Sequence, residues 1–221
     1  MNLQTLTHIA AASGGIIYIM AVLLLIALTL IIERTLYLMR TLREGQRLMQ
    51  ELDDQHGSIK AETLRSLQQS HAGLPHQRLL SVAAELCEKG SEHAETRFEE
   101  AIMRELPHVD RHLWMLDTII TLAPLLGLLG TIIGMFNAFA VLAHADNAPT
   151  QVTGGVAEAL IATACGLFIA ILGLVAFNGL NNRIRIIVHQ LETVKMMLLN
   201  RVKMTRHEDA SKHRPATREV A

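Results

Sequence analysis

Three long stretches of the chain are apolar, and polar segments separate them. Residues 14–32 and 118–143 contain no Asp, Glu, Lys or Arg, and residues 147–182 contain one, Glu158. A membrane helix needs about 20 mostly apolar residues to cross about 30 Å of hydrocarbon. The pattern therefore predicts an all-α integral membrane protein with three transmembrane helices, which we place at 14–36, 113–143 and 151–182.

The distribution of positive charge predicts the orientation of these helices. All 20 Lys and Arg residues lie in 34–111 or 183–221, and none lies in 1–33 or 112–182. Lys and Arg residues that flank membrane helices stay on the cytoplasmic side, so we expect the N-terminus outside. The remaining segments are then a short outer N-terminus (1–13), a cytoplasmic helical domain (37–112), an outer turn (144–150), a cytoplasmic C-terminal helix (183–204) and a disordered tail (205–221).

Composition argues against several classes of function. The net charge is −1 and only 4% of residues are aromatic, which disfavours nucleic-acid binding. Two cysteines cannot form a disulfide scaffold. His108 and His112 are four residues apart, but they make half a metal site and no third ligand is suitably spaced. An intramembrane enzyme would need a second catalytic group at membrane depth, where the candidates are Ser and Thr hydroxyls and Cys165. We therefore expect no cofactor, no metal and no enzymatic activity.

The polar segments are predicted to be helical. Residues 37–112 contain few helix breakers apart from HAGLP at 71–75 and Pro107. After the third span, apolar side chains repeat at helical spacing from Ile184 to Val202. This C-terminal helix packs either on the helices of 37–112 or on the same helix of a neighbouring subunit. The alternative is a basic amphipathic helix that lies on lipid headgroups.

The second and third spans each carry small residues along one face. In the second span these residues fall within an arc of about 100° and are Ala123, Gly127, Gly130, Thr131, Gly134 and Ala138. In the third span they are Gly155, Ala159, Ala162, Thr163, Gly166, Ala170 and Gly173. Small residues let membrane helices approach closely. By themselves, the two stripes indicate a bundle or an oligomer.

Glu158 makes a functional interpretation more attractive than packing alone. A charged carboxylate at the centre of a bilayer costs from about 3 kcal/mol upward, and residues 112–182 supply no Lys or Arg to pair with it. Glu158 could be neutral, could face a polar pore or could pair with another chain. The alternative is a buried carboxylate that only bonds helices together. Asp117 lies at the cytoplasmic end of the second span, where water makes its charge inexpensive, and we assign it no role.

Two blocks of the chain resemble the MotA/TolQ/ExbB proton channel family. They are APLLGLLGTIIGMFNAF at 123–139 and GGVAEALIATACGLFIAI at 154–171. The FN at 177–178 and LPHVDR at 106–111 extend the resemblance. The three predicted spans are more similar to ExbB, with TolQ a close second, than to the four-span flagellar MotA.

The resemblance implies a homo-pentameric ring in the inner membrane of a Gram-negative bacterium. Its second and third helices would line a pore that holds the single transmembrane helix of an ExbD- or TolR-like partner, and the outer segments would be periplasmic. The pore glutamate of the family falls on Glu158, and its pore-lining threonines fall on Thr131 and Thr163. The small residues assigned to packing of the pore helices are Gly127, Gly130, Gly134, Ala159, Ala162 and Gly166. A proline that the family often has late in the third span is replaced here by Leu172 or Gly173.

The function implied is that of a motor subunit driven by the proton-motive force. An ExbB-like subunit would energise TonB-dependent transport across the outer membrane through a TonB-like protein. The alternatives are a TolQ-like subunit of the Tol-Pal envelope system and a non-conducting membrane scaffold.

Overall fold

The computed structural model describes residues 15–55, 59, 61–89, 93–142 and 149–212, and the predicted all-α fold is confirmed for them. The side chains of 89, 141–142, 149–152 and 206–212 are outside this description. The helices are α1 (Ile16–Asp54), α2 (Ala61–Ser70), α3 (His76–Lys89), α4 (Ala94–Val109), α5 (Leu113–Leu142) and α6 (Pro149–Lys212). The predicted N-terminal segment 1–13 lies outside the described residues.

Three of these helices are long and apolar enough to cross a membrane, as predicted. They are α1, the Leu113–Ala140 part of α5 and the Thr153–Thr205 part of α6. Pro124 lies inside α5 without ending it. Most of the predicted outer turn lies outside the described residues, and α6 begins at Pro149, where the fixed φ of proline suits the first turn of a helix.

Two helices run past the borders predicted for the membrane spans. The 39 residues of α1 and the 64 residues of α6 correspond to lengths of about 58 and 96 Å. Residues 205–212, predicted as part of a disordered tail, continue α6. The guanidinium of Arg201 donates hydrogen bonds to the carbonyls of Leu52 and Gln55, and Thr205 Oγ1 lies 3.4 Å from the carbonyl oxygen of Ile59. These contacts hold the chain at the point where the tail was expected to begin.

The chain divides into two compact units. The apolar unit contains the described residues of 15–35 and 112–180, and the polar unit contains those of 36–111 and 181–212. In the polar unit, α2, α3 and α4 pack around buried side chains such as Leu80 and Phe98. The 183–204 segment packs on the helices of 37–112, the first of the interpretations given above. Its residues Leu191 and Leu198 are buried, and Lys195 Nζ lies 3.3 Å from Glu99 Oε1.

Candidate functional site

The small residues of α5 and α6 form the contact between these two helices. A Cβ atom added at Gly130 would lie 2.8 Å from Ala162 Cβ, and one added at Gly134 would lie 2.8 Å from Ala159 Cβ. A Cβ atom at Gly166 would lie 2.5 Å from the carbonyl oxygen of Ala123. We call this contact the α5–α6 seam. It contains all of the small residues assigned above to packing, which are Gly127, Gly130, Gly134, Ala159, Ala162 and Gly166, and each of them is buried.

Thr163 bonds the two helices together at the middle of the seam. Its Oγ1 donates a hydrogen bond of 3.0 Å to the carbonyl oxygen of Gly127. A Cβ atom at Gly127 would lie 3.0 Å from Thr163 Cα, so the absence of a side chain at Gly127 favours the close approach of the two backbones at this bond. The Thr163 oxygen keeps lone pairs that can accept a further hydrogen bond.

Thr131 lies one helical turn after Gly127 and is half-buried. Its Oγ1 donates a hydrogen bond of 2.6 Å to the carbonyl oxygen of Leu128 on its own helix. Because Gly127 contacts Thr163, Thr131 and Thr163 lie at neighbouring levels of the seam. The structure therefore places these two predicted pore-lining residues about one helical turn apart along the seam.

Glu158 is half-buried and lies on the other side of the seam. Glu158 and Thr163 are five residues apart, which separates their directions on α6 by about 140°. On α5, the Thr163 side of the seam is the side of Gly127 and Thr131, because Gly130 contacts Ala162 instead. A single chain thus groups Thr131 with Thr163 and places Glu158 apart from them.

The seam also fixes the order of the polar groups along the helix pair. A Cβ atom at Gly155 would lie 3.0 Å from Ala138 Cβ, and one at Gly173 would lie 2.8 Å from Ile120 Cγ1. The helices are therefore antiparallel, with Glu158 towards the end formed by the C-terminus of α5. The two threonines follow at the middle.

Large apolar side chains cover much of the remaining surface of α5 and of the part of α6 before residue 182. Several of them are exposed in the single chain, namely Leu125, Leu128, Ile132, Phe136, Phe139, Leu160, Leu167, Phe168, Ile171 and Val175. Such extensive exposed apolar surface is covered by lipid or by other protein chains. The seam is thus the part of α5 and α6 that is already buried by contacts within one chain.

A buried polar cluster in the polar unit was not found from the sequence. His76 and Gln190 are 0% and 5% exposed, and both direct polar atoms at Gly45, where an added Cβ would lie 2.7 Å from His76 Nε2 and 2.6 Å from Gln190 Oε1. Burial, assisted by the neighbouring His71, lowers the pKa of His76 to about 4. The cluster joins residues over 100 positions apart, and no local pattern marks it.

The structure also bears on metal binding by the described residues. No group of three or more His, Cys, Asp or Glu side chains in that part of the chain is placed to hold a metal ion. His112, one of the two histidines considered from the sequence, is the first residue of the 112–180 segment of the apolar unit and has a φ of 67°. Its Nδ1 lies 3.6 Å from Glu33 Oε2 of α1.

Comparison with known proteins identifies the family. A model of the MotA/TolQ/ExbB proton channel family matches residues 60–193, which include α2 to α5 and most of α6. The chain belongs to this family. The resemblance inferred from the two glycine-containing blocks is thereby confirmed, and the chain is a membrane protein of the family that includes ExbB and TolQ.

The named relatives include ExbB proteins and TolQ proteins. A Synechocystis sp. protein named biopolymer transport protein ExbB-like 3 is 40% identical over 113 residues, which are 49% of this chain and 53% of that protein. The Tol-Pal system protein TolQ of Haemophilus influenzae is 42% identical over 88 residues, 39% of each chain. The biopolymer transport protein ExbB of Xanthomonas campestris is 38% identical over 89 residues, 40% of this chain and 35% of that protein. The chain thus spans about half or less of the length of these relatives.

Proposed function

We propose that the chain is a subunit of a proton-conducting motor in the inner membrane of a Gram-negative bacterium. The observation that carries the proposal is a half-buried carboxylate, Glu158, in a helix long and apolar enough to cross a membrane. Residues 112–182 contain no Lys or Arg. Acidic groups inside membrane segments typically mark ion pathways.

The distribution of Lys and Arg supports an N-outside orientation with the polar unit in the cytoplasm. Glu158 then lies towards the outer end of the helix pair, and Thr131 and Thr163 lie at its middle. Protons would enter past Glu158 and continue past the threonine hydroxyls, whose oxygens can accept hydrogen bonds from water.

An oligomer is needed to assemble this path. Glu158 and the two threonines lie on opposite sides of the seam, so a path that includes all three requires groups from another chain. Exposed apolar side chains on α5 and α6 provide surface for such contacts. In line with the family, we propose a homo-pentameric ring around the single transmembrane helix of an ExbD-like partner, with a carboxylate of that helix carrying the proton.

The membrane potential supplies enough energy to move such a partner helix. One elementary charge that crosses 100 mV releases about 2.3 kcal/mol. This energy shifts the equilibrium between two positions of the helix about 50-fold. The movement would pass to a TonB-like protein and energise outer-membrane transport. A TolQ-like role in the Tol-Pal system uses the same site with a different output, and the TolQ relatives support that alternative.

A non-conducting scaffold is the second candidate, and one contact favours it. Thr163 already bonds the two helices through the Gly127 carbonyl, and the small residues are already packed within the chain. In a scaffold, Glu158 would serve only as a further hydrogen-bonding group between helices.

The substitution Glu158→Gln separates motor from scaffold because it removes the ionisable group and keeps the side-chain size. The complex is purified from native membranes through a tag on this chain and reconstituted into liposomes that contain a pH-sensitive dye. We expect Glu158→Gln to abolish potential-driven proton uptake while the complex keeps its size. The matched control is Glu192→Gln, an exposed position of the same helix, which should conduct like the wild type. Unchanged uptake by the Glu158→Gln complex would contradict the motor.

A further inference from the structure

Asp117 is the single Asp, Glu, Lys or Arg in the Leu113–Ala140 span. Its side chain is exposed in the chain. A carboxylate close to a helix N-terminus often serves only to stabilise the helix dipole, an effect confined to the first turn. Asp117 is the fifth residue of α5 and lies beyond the first turn. Interaction with the helix dipole therefore does not explain an acidic residue at this position.

Asp117 and Thr131 lie on the same face of α5, and we call this face the Asp117 stripe. Because α5 continues through Pro124, successive residues rotate by about 100°. Thr121 and Thr131 then each lie about 40° from Asp117, on either side of it. The seam glycines of α5 point between about 80° and 140° away from Asp117, and the stripe lies on the side of the seam that carries Thr163. Within the described chain, α6 does not cover Asp117 or Thr121, which are both exposed.

The stripe extends from the middle of the helix to its N-terminal end. Fourteen residues separate Asp117 from Thr131, a rise of about 21 Å. Thr121 lies between them, and its Oγ1 is 3.2 Å from the carbonyl oxygen of Asp117 and 2.9 Å from that of Thr118. In the orientation proposed above, this end of α5 faces the cytoplasm.

We propose that Asp117 is the cytoplasmic exit group of the proton path, an inference that rests on the proposed function. A hydronium ion that has passed the threonines transfers its proton to the Asp117 carboxylate, which leaves water and a neutral carboxylic acid. The acid then gives the proton to a cytoplasmic water molecule, which becomes a hydronium ion, and the carboxylate is restored. No other side chain changes its charge.

The substitution Asp117→Asn tests this role in the proton-uptake assay described above. Positioned side chains that transfer protons typically contribute 10²–10⁴-fold to a rate, and we expect uptake to fall by about 10-fold or more. Asp117→Glu, which keeps the carboxylate, should restore most of the rate. Asp110→Asn, an exposed position outside the span, should leave it unchanged. Size-exclusion chromatography checks that each complex keeps its size and its partner chains.

Each outcome decides between the two proposals. If the wild type and Asp110→Asn conduct and Asp117→Asn conducts equally well, the exit role is wrong and the motor stands. If Asp117→Asn loses both uptake and assembly, or if Asp117→Glu does not restore the rate, Asp117 has a structural role and the inference is overturned. If the wild-type complex takes up no more protons than empty liposomes do, the proposed function itself fails.

Discussion

Alanine at Gly166 should weaken the α5–α6 seam, and alanine at Gly179 should not. A Cβ atom at Gly166 would lie 2.5 Å from the carbonyl oxygen of Ala123 and 3.1 Å from Met20 Cε. The methionine end can move, but the carbonyl belongs to the backbone of α5. In the part of the chain that the structure describes, and apart from its two chain neighbours and the adjacent backbone of its own helix, nothing lies within 4 Å of a Cβ atom added at Gly179 on the same helix. The two substitutions are therefore chemically identical, and they differ in the atoms that surround the added methyl group.

The cost follows from the separation of the two helices. Ordinary contacts begin near 3.4 Å, so α5 and α6 must move apart by several tenths of an ångström. Overpacking of this kind costs about 1–3 kcal/mol. The bond from Thr163 to the Gly127 carbonyl, now 3.0 Å, lengthens as well, and such bonds between membrane helices contribute about 0.6 kcal/mol. Both variants gain helix propensity alike, so their difference in unfolding free energy isolates the seam.

Unfolding can be followed by the fluorescence of Trp114, since the chain has one tryptophan. Complexes in mild detergent are titrated with increasing SDS. We expect Gly166→Ala to unfold at a clearly lower SDS fraction than Gly179→Ala, which should match or slightly exceed the wild type. Equal midpoints for the two variants would refute the close approach of the backbones in the seam.

Two further predictions concern single groups. Because the pKa of His76 is lowered from 6.5 to about 4 in the folded chain, its contribution to stability is complete above pH 6.5 and is lost as the pH falls towards 4. The loss in unfolding free energy is about 3 kcal/mol. The midpoint of thermal unfolding, followed by circular dichroism, should therefore fall as the pH falls, and this fall should be smaller in His76→Leu. Thr163→Val should destabilise by about 0.6 kcal/mol in the SDS titration while Thr163→Ser does not, and equal loss in both would contradict the bond to Gly127.

The main outline of the fold is predictable from the sequence because charge is excluded from the membrane spans. Two charge-free runs and a third run with one charged residue give the three spans, and the isolated Glu158 draws attention to the third. The ends of the long helices were harder to predict. No Pro lies near residues 36 and 183, and Gly179 lies inside α6 without ending it, so α1 and α6 continue past the predicted borders. Arg201 bonds the C-terminal part of α6 to the carbonyls of Leu52 and Gln55, which lie about 150 residues earlier in the chain.

The site was predicted only in part, because its geometry depends on how two helices face each other. Helical periodicity places Thr163 among the small residues of its own helix. That its hydroxyl bonds to the Gly127 carbonyl depends on the pairing of α5 with α6, which no periodicity within one helix contains. The same pairing places Glu158 on the opposite side of the seam from Thr131. The family resemblance assigns these residues to one pore, but within one chain they lie on different sides of the seam.

The most direct test of the central claim is a cryo-electron microscopy structure of the complex from native membranes, determined in lipid. We predict a ring in which Glu158 of each copy borders a hydrated passage that continues to Thr131 and Thr163 around a partner helix. A structure in which the Glu158 carboxylate points to the acyl chains, or is enclosed in a dry helix contact away from any passage, would contradict the account.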